Sequence, residues 1–267
     1  MSLRKLRFLV PSALTLANIS AGIFSIVVAL DARSVTQMQL AAWAIVAAMI
    51  FDLLDGRLAR ALDAQTEFGA QMDSLTDSIS FGVAPAMLMY GWGLRGLGPV
   101  GLLFGLFFAS CAIVRLARFN VRSNHEQASA YFRGLPTPVA AGGVVSAVLV
   151  VAAWTGRATA GEHWYPAVLS VLLGGLMVSG VRFRTFKDVD WGTPTLIAAA
   201  VGAAALATVV VLGEPGVALG IGLLGYTAIG VLVGLIDGIR CLLEDRDDGG
   251  LAAHDEELLA DVGDDDH

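Results

Sequence analysis

Apolar runs long enough to cross a bilayer recur along most of this chain, and no other feature restricts its fold as strongly. A hydrocarbon core about 30 Å thick requires roughly 20 residues of helix. Because that core offers no water to backbone N–H and C=O groups, runs of this length are expected as helices that satisfy their own backbone. They fall at about 9–30, 38–62, 70–92, 98–118, 136–154, 164–181, 194–213 and 217–240. With 56% hydrophobic and 15% charged residues and a mean hydropathy of +0.70, an ordinary soluble domain is excluded. The expected fold class is an all-α integral membrane protein of about eight transmembrane helices. The first run has no A-x-A-type cleavage site, so it is expected to be retained as a span.

Basic residues orient the spans, because cytoplasmic loops carry an excess of Lys and Arg. With the N-terminus in the cytoplasm, the inside set is Arg4, Lys5, Arg7, Arg57, Arg60, Arg115, Arg118, Arg122, Arg133, Arg182, Arg184, Lys187, Arg240 and Arg246. Only Arg33, Arg95 and Arg157 of the 17 basic residues are then left outside. The formal charge of −7 comes from the C-terminal segment: residues 244–267 hold eleven acids against one Arg, and residues 1–243 carry net +3. Two parts are expected: a transmembrane catalytic domain over 1–243 and an acidic, disordered cytoplasmic tail over 244–267.

Against this apolar background, four aspartates stand in DLLDGRLARALDAQTEFGAQMDSLTD, from Asp52 to Asp77. At about 100° per helical residue, Asp55, Gly56, Ala59 and Arg60 share one face with Asp52, and Asp73 and Asp77 share a stripe with Gly69 on the next helix. A carboxylate at mid-helix costs roughly 2.5–3.5 kcal/mol on insertion scales, and neighbouring carboxylates repel one another. A divalent cation removes both penalties. Carboxylate oxygens without a nearby His or Cys suit Mg²⁺ or Mn²⁺ rather than zinc, and such ions commonly bridge substrate phosphates. Gly56, Ala59 and Gly69 leave room for a ligand at the backbone, and Arg60 offers a planar fork suited to phosphate.

The spacing D-x-x-D-G-x-x-A-R, eight residues, G-x-x-x-D-x-x-x-D resembles the signature of the CDP-alcohol phosphotransferase family. SISFGVAPA (Ser78 to Ala86), RLARFNV (Arg115 to Val121) and FRGLPTP (Phe132 to Pro138) further resemble the branch that makes phosphatidylserine, over roughly residues 5–190. One departure lies in the first helix, where relatives begin P-N-x-x-T: Pro11 is followed by Ser12, while Thr15 and Asn18 are kept. The resemblance implies transfer of a phosphatidyl group from CDP-diacylglycerol to the hydroxyl of L-serine, with release of CMP, at the cytoplasmic face of the cell membrane. It implies Asp52, Asp55 and Asp73 as metal ligands, with Asp77 as general base and sharer of metal. Gly56, Ala59, Arg60 and Gly69 become the CDP cradle, and Arg118 and Arg133 the candidates for the serine carboxylate. A homodimer is also implied.

Three other classes compete. A carrier's intramembrane acids tend to sit near the midplane on broken helices, often within inverted repeats, whereas these lie at one face of a chain without a repeat. A membrane prenyltransferase binds diphosphate through Asp-rich motifs but lacks the Gly-Ala-Arg-Gly spacing. A sister enzyme acting on glycerol phosphate, an inositol phosphate or an archaeal diether CDP-lipid shares the whole signature. Of the remaining residues, Cys111 and Cys241 are expected to pack rather than ligate, and His125, His163, His254 and His267 have no metal spacing. Asp237 and Arg240 are expected to form a local ion pair.

Overall fold

A computed structural model describes residues 3–123, 131–156, 164–179 and 182–184, with side chains described for 11–121, 134–156 and 164–179. The last two expected spans, the acidic tail, Cys241, the four histidines and the Asp237–Arg240 pair lie outside these residues. Within them are seven α-helices: α1 (Leu3–Asp31), α2 (Val35–Ala61), α3 (Glu67–Asp77), α4 (Ala84–Trp92), α5 (Pro99–Ser123), α6 (Thr137–Thr155) and α7 (Tyr165–Val178). The stretches Pro11–Asp31, Val35–Ala61, Pro99–Val121 and Thr137–Thr155 are long and apolar enough to cross a membrane, and Tyr165–Val178 is a shorter apolar helix.

Two features depart from a plain bundle of α-helices. The segment Ser78–Val83 joins α3 to α4 as a π-helical turn, so helix runs without a break from Glu67 to Trp92. Two short strands, β1 (Tyr131–Arg133) and β2 (Arg182–Arg184), pair antiparallel with Phe132 opposite Phe183. A chain expected to be all-α therefore carries a small two-stranded sheet beside its helices. Backbone groups in the two connecting segments pair with each other rather than within a helix.

Local chemistry sets the helix ends. Ser34 opens α2 by accepting a hydrogen bond from the N–H of Gln37 at 3.2 Å. Thr66 opens α3 in the same way, accepting from the N–H of Gly69 at 3.0 Å. Between them the chain reverses at Asp63, whose φ of 49° lies in the left-handed region that Asp tolerates better than most residues. The eight residues separating the two halves of the acidic motif thus complete α2, turn, and cap α3.

Small residues let α1 pack closely on its neighbours. Ala41, Ala42, Ile45 and Ala48 form a buried stripe on α2, and the Ser25 hydroxyl donates to the carbonyl of Ala41 at 2.8 Å. At Gly91 a Cβ would run into the backbone carbonyl of Ala29, so the α1–α4 contact requires glycine. Larger side chains fill the centre, where Phe81, Trp92, Phe108, Met38 and Leu149 are fully buried. Leu16, Ile23 and Val27 of α1 and Leu103 and Ile113 of α5 remain 46–63% exposed, which suits helices whose solvent on that side is lipid. Cys111 is a buried free thiol, packing as expected.

Candidate active site

The two stripes read from the sequence meet. One carboxylate oxygen each from Asp52 and Asp55 on α2 and Asp73 on α3 lie within 4.8 Å of one another. Asp77, one turn further along α3, reaches the Asp52 carboxyl at hydrogen-bonding range. Asp55 is buried, and the other three acids are partly so.

How the acids are held differs. The Thr15 hydroxyl of α1 lies 2.8 Å from Asp55 Oδ2 and 3.1 Å from the Pro11 carbonyl. Its single proton serves the charged acceptor better, which fixes Asp55 from a third helix. By contrast, Asp73 Oδ1 and Asp77 Oδ1 are buried with no hydrogen-bond partner, as are both side-chain polar atoms of Asn18. Buried polar atoms are rarely left unpaired. Clustered carboxylates with inward oxygens lacking a protein donor call for a cation. An all-oxygen donor set without His or Cys fits a hard divalent ion, as expected for Mg²⁺ or Mn²⁺.

The remaining expected site residues divide. Gly56 and Ala59 are partly exposed on α2, and Arg60 is exposed one turn past Gly56, where its Nη1 would stand 3.8 Å from a Cβ built on that glycine. This places a cation and a bare backbone side by side next to the acids. Gly69 has a local role as well: a Cβ there would press to 3.0 Å on the Thr66 hydroxyl that caps α3. Arg118 is exposed, and its Nη1 donates to the Val178 carbonyl at 3.1 Å, at the end of α7. Arg133 belongs to β1, where it stands opposite Arg182, and its side chain lies outside the described residues. Ser12, at the family's amide position, is exposed.

Residues that the sequence reading had not placed at the site complete its wall. Arg115 of α5 is partly buried; its Nη1 donates to Thr137 Oγ1 at 3.2 Å, its guanidinium sits 5.7 Å from the Phe119 ring centroid, and the charge of Asp77 reaches it. Asn120 Nδ2 donates to Ser74 Oγ at 2.6 Å, tying α5 to α3 between Asp73 and Asp77. Gly134, with φ +85°, lets the backbone turn tightly against the Met177 carbonyl before Thr137 opens α6. RLARFNV and FRGLPTP are therefore spatial neighbours, and Gly82 of SISFGVAPA packs against Ala112 of α5, three residues before Arg115. The signal for Arg115 was its depth: it stands three residues further into an apolar helix than Arg118, and an arginine there needs a reason.

Known proteins resemble this chain over most of its described helices. Residues 8–172 match the family model described as CDP-alcohol phosphatidyltransferase. A Helicobacter pylori protein named CDP-diacylglycerol–serine O-phosphatidyltransferase is 36% identical over 190 residues, covering 71% of this chain and 78% of the relative. A Bacillus subtilis protein of the same name is 31% identical over 181 residues, covering 67% of this chain and 91% of the relative. A Mycobacterium bovis protein of that name is 38% identical over 191 residues, covering 68% of this chain and 63% of the relative. The match to the family model spans α1 through most of α7 and includes all four acids. This chain belongs to the CDP-alcohol phosphatidyltransferase family.

Proposed function

We propose that the protein transfers the phosphatidyl group of CDP-diacylglycerol to the hydroxyl of L-serine, giving phosphatidylserine and CMP. The observation that carries this reading is the meeting of Asp52, Asp55 and Asp73 within 4.8 Å with Asp77 alongside, in a chain whose relatives bear that enzyme's name.

The diphosphate of the CDP-lipid is taken up at the α2 side, where Gly56 and Ala59 let it approach the backbone and Arg60 offers its fork; Gly69 completes the cradle from α3. Asp52, Asp55 and Asp73, with Asp77 contributing, would hold a Mg²⁺ or Mn²⁺ ion, which when bound would supply charge neutralisation at the diphosphate. The serine hydroxyl attacks the lipid-bearing phosphorus in line with the departing CMP oxygen, and Asp77 takes up the hydroxyl proton. One P–O bond forms and one breaks, and the negative charge leaves on CMP. Thr15 keeps Asp55 in place throughout by its hydrogen bond.

The wider setting follows the same reading. The unbroken helix from Glu67 to Trp92 and the apolar α7 act as spans beside the four long helices, and the two apolar runs at 194–213 and 217–240 bring the total to eight. The excess of basic residues on one side supports a site at the cytoplasmic face of the cell membrane, where a nucleotide-activated lipid is met. The acidic segment 244–267 is a cytoplasmic tail, and the enzyme works as a homodimer.

The test is a comparison of acceptors. Purified enzyme in detergent, with CDP-diacylglycerol and Mg²⁺ or Mn²⁺, is offered L-serine, glycerol phosphate or inositol phosphate while CMP and lipid product are measured. Serine-dependent CMP release with phosphatidylserine as product is expected. Consumption of another alcohol in place of serine would overturn the acceptor assignment and leave the family membership standing.

A further inference from the structure

We propose that Arg115, steadied by Thr137, receives the carboxylate of the acceptor amino acid and so selects serine over alcohols without that group. The inference rests on the serine reading above and replaces Arg118 and Arg133 as the acceptor's cation.

Arg115 has the setting of a binding group rather than an anchor. A guanidinium carries five N–H donors. One of these goes to Thr137 Oγ1, and Arg115 makes no ion pair with any described carboxylate. The Phe119 ring and the buried Thr137 hydroxyl hold the group from two sides, leaving a planar fork whose remaining donors suit a carboxylate. Thr137 is also the first residue of the 19-residue α6, so the positive end of that helix dipole lies beside the same point. Asn120, on the same helix as Arg115, donates to Ser74 between Asp73 and Asp77 at 2.6 Å, which brings α5 against the stretch of α3 that carries the proposed base.

Serine's chemistry matches that adjacency. Its hydroxyl and carboxylate are separated by two carbons, so the groups that receive them must be neighbours. Arg115 and Asp77 stand on the two helices that the Asn120–Ser74 hydrogen bond ties together. The Arg118 guanidinium is exposed rather than partly buried, and it donates to the Val178 carbonyl at the end of α7. Arg60, on α2 beyond Gly56, stands on the donor side. The two arginines Arg60 and Arg115 thus serve the two substrates from different helices.

The experiment compares wild type with Arg115→Gln, Arg115→Lys, Thr137→Val and Arg118→Ala in the CMP-release assay, with L-serine and with ethanolamine, which lacks the carboxylate. Arg115→Gln is expected to raise the serine KM roughly 10- to 100-fold, the worth of a hydrogen bond to a charged group, with the CDP-diacylglycerol KM nearly unchanged. Its turnover of ethanolamine should fall far less than its turnover of serine, so the preference for serine collapses. Arg115→Lys keeps the charge but not the fork and should fall between. Thr137 is a positioning residue, and Thr137→Val, which leaves the arginine in place, should raise the serine KM a few-fold at unchanged kcat; it carries the test if Arg115→Gln fails to accumulate in membranes. The proposal is overturned by a wild-type serine KM in Arg115→Gln, by an equal loss with ethanolamine, by a parallel rise in the CDP-diacylglycerol KM, or by Arg118→Ala alone shifting the serine KM. If wild type ignores serine, the acceptor assignment has failed and not merely the residue that reads it.

Discussion

Asp55 and Asp77 belong to one stretch of sequence and carry the same functional group, yet the fold treats them differently. Asp55 is buried and oriented by the Thr15 hydroxyl, whereas Asp77 keeps a buried oxygen with no protein partner and leans on Asp52. Their substitutions should therefore fail in different ways. Asp55→Asn or Asp73→Asn removes a ligand from the cluster and is expected to abolish CMP release at any substrate concentration while the protein still accumulates in membranes. Asp77→Asn is expected to lower kcat by roughly 10²–10⁴, the usual worth of a general base, with CDP-diacylglycerol affinity little changed. Near-normal turnover in either of the first two would remove the metal assignment, and an Asp77→Asn defect confined to lipid binding would remove the base. At this scale the acids were legible because carboxylates in apolar sequence are costly and their spacing shows which face they share. Thr15, Thr137 and Arg115 were not assigned: a hydroxyl or an arginine gains its role from a partner on another helix, and no local spacing encodes that partner.

At the scale of elements, hydropathy marks where a helix lies but not how its turns are wound. The runs 98–118 and 136–154 correspond to α5 and α6 within a few residues, because apolar length and backbone self-satisfaction dictate both. The π-helical turn at Ser78–Val83 left no such trace, since it changes the winding of a helix whose apolar content is continuous. The β1–β2 pairing was equally hidden, for it joins segments some fifty residues apart, and each strand is only three residues long. Small residues mark close approaches, but only the fold distinguishes a glycine that must be one from a glycine that need not. Gly91 must be, because the Ala29 carbonyl occupies the place of its Cβ, whereas Gly175 of α7 has nothing within 4 Å. Gly91→Val should destabilise the detergent-solubilised protein by about 1–3 kcal/mol, as overpacking does, and Gly175→Ala should be neutral or stabilising by up to about 1 kcal/mol from helix propensity. Thermal loss of the monodisperse gel-filtration peak measures both. Equal melting of the two variants would contradict the α1–α4 contact.

For the whole molecule, the side of the membrane on which the acids open decides which pool of substrate the enzyme can use, and the chain offers an independent check on it. Residue 122 stands near the end of α5, and Gly156, which precedes Arg157 in sequence, caps α6, which runs from Thr137 to Thr155. A helix of 19 residues is about 28 Å long at 1.5 Å per residue, enough to carry the chain across the hydrocarbon core. If α6 spans, the two positions are expected on opposite faces. Arg115 and Thr137, which touch, lie toward the face of residue 122, and Asn120 beside them bonds Ser74 between Asp73 and Asp77, so the site shares that face. The excess of Lys and Arg on that side is the basis for proposing it as the cytoplasmic one. In a background with Cys111 and Cys241 replaced by serine, Arg157→Cys should react with a membrane-impermeant thiol reagent added to intact cells, and Arg122→Cys should react only after the cells are opened. The reverse pattern would turn the molecule over and place the four acids outside the cell, where no CDP-lipid made in the cytoplasm would reach them without first crossing the bilayer. Labelling of both positions in intact cells would instead show that α6 does not span.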